Sequence, residues 1–549
     1  MKIIYVDVDS LRPDHTGAYG YPRDITPNLD AMAQDSVVFE SYYCSDSPCL
    51  PSRTALTSGQ FGITNGVVGH FGLDARYRLD AGHGPAYDRP LLGQILGQNG
   101  CLTSSVSSFA ERHRAHFFLG NFRESVRSTP EVGDEPADAV TDAAIDWISR
   151  HTDTDDWYLH LTYWDPHTDY LQAPEWTDAA AAAGPAPAWP DQDAIDAHAE
   201  IYGPRSALDL HYSVRPQTSR VPYNMPEEIR TRADFEKLIN GYDGGIHFWD
   251  TEFGRLRRAI ADLGLADDVA IIVSSDHGES FGELGLYAEH GLASEPVHHL
   301  PLIIFWPGIT DRQLEHRRND ALLYNIDLAP TILDLLDIDV PSRWQGTSFA
   351  PALHGQAIPS RDYLVWGHGA HTYQRAVRTR DHLYIKTLHP GSFRAEWESL
   401  YDVTNDPYLT HDLKDTQPQL LDAMRGRLSE WWHHYAGTPG ALPDPMQQSL
   451  QVGPRLYNDP EDYMAHLRAT GRSHLADDLN RRLHPDNAAS PVSWHAQNQP
   501  HTPEEKERFI AMIEASRSAS TDQPAAEKAE RAGVPELVDD AEAVAASRE

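Results

Sequence analysis

Three short apolar runs constrain this chain most, because each is closed by residues that can bind a cation or move a proton. Ile3-Ile4-Tyr5-Val6-Asp7-Val8 ends at Asp9. Trp157 to Trp164 runs into Asp165-Pro166-His167. Val269-Ala270-Ile271-Ile272-Val273 ends in Ser274-Ser275-Asp276-His277-Gly278. Runs of this length rich in β-branched and aromatic residues read as strands. In open α/β sheets, ligand groups gather at the carboxyl ends of the strands, which is where Asp9, His167, Asp276 and His277 fall. Asp7, two residues before Asp9, shares its face one step deeper. It reads either as a carboxylate backing the site or as a packed structural one. Gly278 allows close backbone approach. His160, in mid-strand, reads as a core histidine.

Composition narrows the classes. The 549 residues exceed one ordinary compact core, so two or more domains are expected. No run of about eighteen apolar residues could span a membrane. The N-terminus reaches Asp7 and Asp9 too early for a secretory signal, which points to the cytoplasm. Three cysteines (Cys44, Cys49, Cys101) are too few for a disulfide framework and suit a reducing compartment. The net charge of −37, spread along the chain, repels nucleic acid and anionic lipid. It also calls for screening by salt, so a halophilic source is the expectation.

Between the strands, residues 91–106 read as helix then strand, 134–150 as an acidic helix, and 235–263 as a long amphipathic helix. The Ala-rich run 179–187 reads as a surface insertion of the kind that covers active sites. Residues 362–385 alternate as antiparallel strands and 417–435 form a helix. Amphipathic helices are expected over 458–482 and 503–516, and a disordered acidic tail over 517–549.

Near the start lies Ser47-Pro48-Cys49-Leu50-Pro51-Ser52-Arg53-Thr54-Ala55, with a helix from Ser52 to Leu56 expected behind Cys49. A helix N-terminus favours an anion. This stretch resembles the signature of the formylglycine sulfatases of the alkaline phosphatase superfamily. So do Asp9 after the first strand, Pro166-His167, Asp276-His277-Gly278, and His290 before Gly291. A buried thiol before a helix is the plain alternative for Cys49 taken alone. The resemblance implies an α/β fold with a large mixed, mostly parallel central sheet sandwiched by helices. A smaller C-terminal antiparallel-sheet subdomain follows. The implied boundaries are a catalytic domain over 1–360 and the subdomain over 361–440; the resemblance stops there, and the amphipathic pattern reads 441–516 as a helical extension.

The resemblance also implies roles. Cys49 becomes formylglycine through a formylglycine-generating enzyme, and Arg53 holds its hydrate. His167, helped by His290, protonates the leaving oxygen. Asp9, Asp276, His277 and the Cys49-derived group ligate one divalent metal. Aspartate-rich sites suit Ca²⁺ first, with Mg²⁺ or Mn²⁺ possible. Two departures stand out. Ser10 occupies the place of a second aspartate. Ser107-Ser108-Phe109-Ala110 replaces Gly-Lys-Trp-His, whose lysine and histidine contact the sulfate. His70, Arg112 and His113 are the candidate substitutes. The implied activity is hydrolysis of a small sulfate monoester, with a sulfated carbohydrate preferred. A phosphonate monoester or phosphodiester hydrolase and a silent binder of sulfated glycans are the rivals.

Overall fold

The computed structural model describes residues 1–484, apart from 79–88, 131, 213–220, 311–313, 315–316, 439–440, 451–452 and 455–458. The expected helix at 503–516 and the acidic tail lie outside the described residues. In chain order the strands are β1 (Lys2–Val8), β2 (Val37–Tyr43), β3 (Asp46–Ser47), β4 (Leu102–Val106), β5 (Glu124–Val126), β6 (Trp157–Tyr163), β7 (Val269–Ser274) and β8 (Ser280–Phe281). There follow β9 (Tyr287–Glu289), β10 (His299–Phe305), β11 (Arg318–Asn319), β12 (Leu323–Tyr324), β13 (Leu364–Gly369), β14 (Tyr373–Arg378), β15 (His382–His389) and β16 (Glu398–Asp402).

The central sheet has the order β11-β2-β10-β7-β1-β6-β4-β5, with β12 also on β2. β5, β4, β6, β1 and β7 are parallel, and β10 runs antiparallel between β7 and β2. This order explains the sequence pattern: the three runs that end in charged residues are the neighbouring strands β6, β1 and β7. Val8 sits opposite Tyr163 and Asp7 opposite Ser274, so the three carboxyl ends finish almost level.

Both faces of the sheet are covered, which is why its central strands are apolar nearly throughout. Ile4, Val6 and Val8 face helices Ala137–Arg150 and Arg232–Asp262. Ile3 and Tyr5 face helices Leu92–Gln98 and Leu328–Leu335. Period-two alternation puts Asp7 and Asp9 on the second face. The 31-residue helix Arg232–Asp262 starts in a capping box, Thr231 with Asp234.

A second sheet, β16-β15-β14-β13-β3, is antiparallel except at β3. Helix Pro418–Ala436 packs against it through Leu421 and Met424.

Three local expectations change. The helix at the cysteine begins at Cys49 itself and runs to Ser58, rather than spanning Ser52 to Leu56. Only the first part of the alanine run, 179–182, is helical: it ends helix Pro174–Ala182, with Ala180 buried and its neighbours on the surface, in keeping with alanine's high helix propensity. The stretch 458–482 forms two helices, Pro460–Ala469 and Ser473–Leu483, broken where Gly471 takes φ +80°.

Candidate active site

Cys49 occupies the first turn of its helix, 2% exposed, with Sγ 3.1 Å from His277 Nε2. The helix is moored to the end of β7: the Ser52 hydroxyl donates to the Asp276 carbonyl at 2.6 Å, and the Asn325 amide donates to the Ser52 carbonyl at 3.1 Å. One turn on, Arg53 lies buried under the sheet ends. Its Nε donates to Asp7 Oδ2 at 2.6 Å, and its Nη1 donates to Asp9 at 3.0 Å and Asp276 at 2.6 Å. Asp7 thus backs the site through Arg53. His160 completes the support, with Nε2 3.2 Å from Asp7 and Nδ1 3.2 Å from the Ser105 hydroxyl.

Phe109, which stands where the resemblance expected a tryptophan, covers the Arg53 guanidinium at 4.6 Å in a cation–π contact, and Ser108 holds the place of the lysine. Ser10 also does more than stand in for an aspartate. Its hydroxyl donates to Asp9 Oδ1 at 2.9 Å, and its backbone N–H donates to Asp276 Oδ1 at 3.3 Å.

Three carboxylates, Asp7, Asp9 and Asp276, therefore share one guanidinium in a place without solvent. Burial pushes Asp276 well above the usual carboxylate range, reinforced by Asp9 and Asp7 and opposed by Arg53. Burial acts the same way on Asp9, but Arg53 and His167 outweigh it and hold that carboxyl far below the usual range. The pair therefore carries its negative charge on Asp9, while Asp276 ionises only with a further cation beside it. The Cys49 thiol is pushed up to about 12, by burial first and then by Asp9. A neutral thiol is a weak nucleophile.

The histidines form the opposite wall. His277 directs Nδ1 to the Gly278 carbonyl, 2.9 Å, which leaves Nε2 for the cleft. His290 packs against His277 with ring centroids 4.0 Å apart and planes tilted by 35°, and its Nε2 lies 3.3 Å from Glu289. Burial lowers the pKa of His290, but Glu289, Cys49 and Glu279 overcome it and raise it well above the ordinary value. His167 lies 5.9 Å from His290, ring to ring, with Nδ1 2.5 Å from the Thr168 carbonyl. Burial lowers its pKa to about 4. In this wall the proton resides on His290, and His167 is neutral.

His70 and His113 are buried and meet edge to face at 4.6 Å; His70 Nε2 faces the Leu50 N–H at 3.4 Å. Neither ring nitrogen of His113 has a hydrogen-bond partner among the described residues. Arg112 turns its guanidinium over the Trp164 ring at 4.6 Å and donates to the Gly133 carbonyl. Sequence reasoning missed Phe109, Glu279, Glu289 and Arg205 near this wall; only the Glu residues carried a signal, flanking His277 and His290.

Asp9, Cys49, Asp276 and His277 bring one donor atom each to within 4.8 Å of one another. Two buried carboxylates, one of which ionises only with a further cation at hand, fit a hard divalent cation, with one imidazole beside them.

Residues 2–338 match the sulfatase family, and residues 282–432 match the C-terminal region described as N-sulphoglucosamine sulphohydrolase. The human N-sulphoglucosamine sulphohydrolase is 25% identical over 76% of this chain and 87% of its own length. An N-acetylglucosamine-6-O-sulfatase of Bacteroides thetaiotaomicron is 23% identical over 74% of this chain and 81% of its own. Among solved structures, a phosphonate monoester hydrolase from Silicibacter pomeroyi shares the fold with a TM-score of 0.60 at 19% identity, covering 79% of this chain and 95% of its own.

Proposed function

The chain belongs to the sulfatase family and is a hydrolase of sulfate esters; from that premise we propose that it acts through formylglycine made from Cys49 on a sulfated carbohydrate. The observation that carries this reading is the placement of Cys49: first turn of a helix, beside His277, with Arg53 behind it holding Asp9 and Asp276. The neutral thiol supports conversion before use. The name of one relative, N-acetylglucosamine-6-O-sulfatase, supports a sugar as the alcohol, and that of the other, N-sulphoglucosamine sulphohydrolase, supports a sulfated sugar as the substrate class.

Asp9, Asp276 and His277 would hold one divalent metal, Ca²⁺ by the preference of carboxylate oxygens. When bound, metal and formylglycine supply charge neutralisation and an oxygen nucleophile in place of the thiol. The remaining work falls to this chain's own side chains. Arg53 is fixed by three carboxylates and Phe109, so its planar fork keeps position 49 oriented without reorganisation. His70 and His113, buried and neutral, offer hydrogen bonds to sulfate oxygens where the family's lysine is missing. Their neutrality keeps the net charge of the pocket low and limits binding of more highly charged esters. His290, protonated beside Glu289 and Glu279, supplies the proton for the leaving alcohol, and His167, its ring 5.9 Å from that of His290, relays it.

The phosphonate hydrolase neighbour keeps one rival in play, since a tetrahedral phosphorus ester has the same shape. Peptide mass at residue 49 and turnover of an aryl sulfate against an aryl phosphonate test the reading together. The expected result is an aldehyde-sized mass loss and preference for the sulfate. An intact, alkylatable cysteine in active enzyme overturns the nucleophile, and preference for the phosphonate overturns the substrate class.

A further inference from the structure

Helices Pro460–Ala469 and Ser473–Leu483 lie beyond the residues matched to either family region. They pack on each other and on Tyr202 through Tyr463, Met464, Leu467, Leu475 and Leu479. What they hold is one loop. Asp209, 4% exposed, receives two hydrogen bonds from Arg472, at 2.7 and 2.8 Å, and one from the Tyr463 hydroxyl at 2.6 Å. His466 Nε2 lies 2.7 Å from the same carboxylate. The Tyr463 hydroxyl also accepts the Gly203 N–H at 2.7 Å, so one side chain pins both ends of the segment 203–209.

Between those pins sits Arg205, held in the left-handed region at φ +65°, which a residue with a side chain adopts only when its surroundings enforce it. Its backbone is part of the catalytic wall. The Arg205 carbonyl accepts the Tyr287 N–H at 2.9 Å, and Ser206 forms a bridge with Leu286. Its guanidinium donates to Asp169 at 3.1 Å and approaches Glu289 at 3.9 Å. Glu289 is the residue that contacts His290 and also lies 3.3 Å from His371. A continuous series of hydrogen bonds and ion pairs therefore runs from the C-terminal helices to the histidine.

We propose that the helical pair 460–483 is a positioning element of the active site, clamping segment 203–209 so that Arg205 fixes β9 and the Glu289–His290 pair at its end. The catalytic part of this inference rests on the role given to His290 above; the mechanical part does not. Ala207 anchors the middle of the segment in the main core, and the clamp grips its Asp209 end; the Arg205 N–H donates to the Asp209 carbonyl at 3.0 Å, which passes that grip to Arg205.

The test uses the full chain with Arg472→Met and Tyr463→Phe, and Arg468→Ala on the outer face as a control. Hydrogen–deuterium exchange is read at 286–291 and at 269–274, alongside kcat and KM for an aryl sulfate. The expected result is exchange at least about tenfold faster at 286–291 with 269–274 unchanged. With it, kcat falls roughly tenfold to a hundredfold while KM moves little. Should Arg472→Met loosen the whole fold, seen as faster exchange at 269–274, Tyr463→Phe carries the comparison because it removes one hydroxyl only. Unchanged exchange at 286–291 overturns the clamp whatever the activity does, and faster exchange with unchanged kcat overturns its catalytic role. A wild-type chain that leaves the aryl sulfate intact overturns the reading of the site, and the exchange rates still judge the clamp.

Discussion

At the residue scale, the site is a set of buried charges whose meaning depends on their partners. Asp7 is one carboxylate in an apolar strand, and only its contacts with Arg53 and His160 make it a support for the arginine. Removing one partner of such a buried group leaves the other uncompensated, which is the costly event in charge burial. The histidine wall divides labour in the same way. Burial leaves His167 neutral, while Glu289 and Glu279 keep the proton on His290. His167→Ala should therefore slow an alkyl sulfate, whose leaving oxygen needs a proton, by roughly a hundredfold or more. An aryl sulfate with a good leaving group should lose less than about tenfold. Equal losses on the two substrates, measured as kcat/KM, would remove His167 from the proton path. The residue types were legible in the sequence at Asp9, Asp276, His277 and His167. Phe109 was not: a phenylalanine at a helix start carries no sign that it will cover an arginine fifty-six positions away in the chain.

At the element scale, strand ends and helix starts are joined by single side chains. Asp165, just past β6, accepts the Ala137 N–H at 2.9 Å and so caps the first turn of helix Ala137–Arg150. Burial pushes its carboxyl up to about 7, with Asp138 and Asp134 adding to the rise. The folded chain therefore keeps this proton at pH values where the unfolded chain has lost it. The stabilisation is complete below about pH 4 and disappears as pH rises through about 7, a change on the order of 4 kcal/mol. Other carboxylates titrate in the same window with the opposite sign, so the comparison is wild type minus Asp165→Asn. Urea unfolding at about pH 4 and about pH 8 should show that difference falling toward high pH, with the wild type the less stable of the two at about pH 8. A difference independent of pH would show that Asp165 is ionised in the fold. The order of these elements followed from hydrophobic pattern and length. The broken helix at Gly471 did not, because an amphipathic period continues across a single glycine.

At the scale of the whole molecule, charge dominates. A net charge of −37 on one chain means strong self-repulsion at low ionic strength. The Debye length falls from about 10 Å at 0.1 M to about 3 Å at 1 M salt, which removes most of that repulsion. The melting temperature should rise by several degrees between those concentrations of KCl, and a flat or falling profile would show that the surface charges are already compensated in pairs. No described helix is long and apolar enough to cross a membrane.

The sequence by itself determined the strands, their apolar character and the chemistry at their ends, because these depend on local pattern and side-chain type. It also determined the family, through Cys49-Leu50-Pro51-Ser52-Arg53 and Asp276-His277-Gly278 in their order. Tertiary structure alone decided which ends meet. Strand order brings β6, β1 and β7 side by side across more than 250 residues of chain, and no local signal encodes adjacency at that separation. It likewise decided that Arg53 answers to three carboxylates, that a proton settles on His290 rather than His167, and that Asp209 is gripped from the far end of the chain. These are matters of burial and distance, which exist only once the chain has closed on itself.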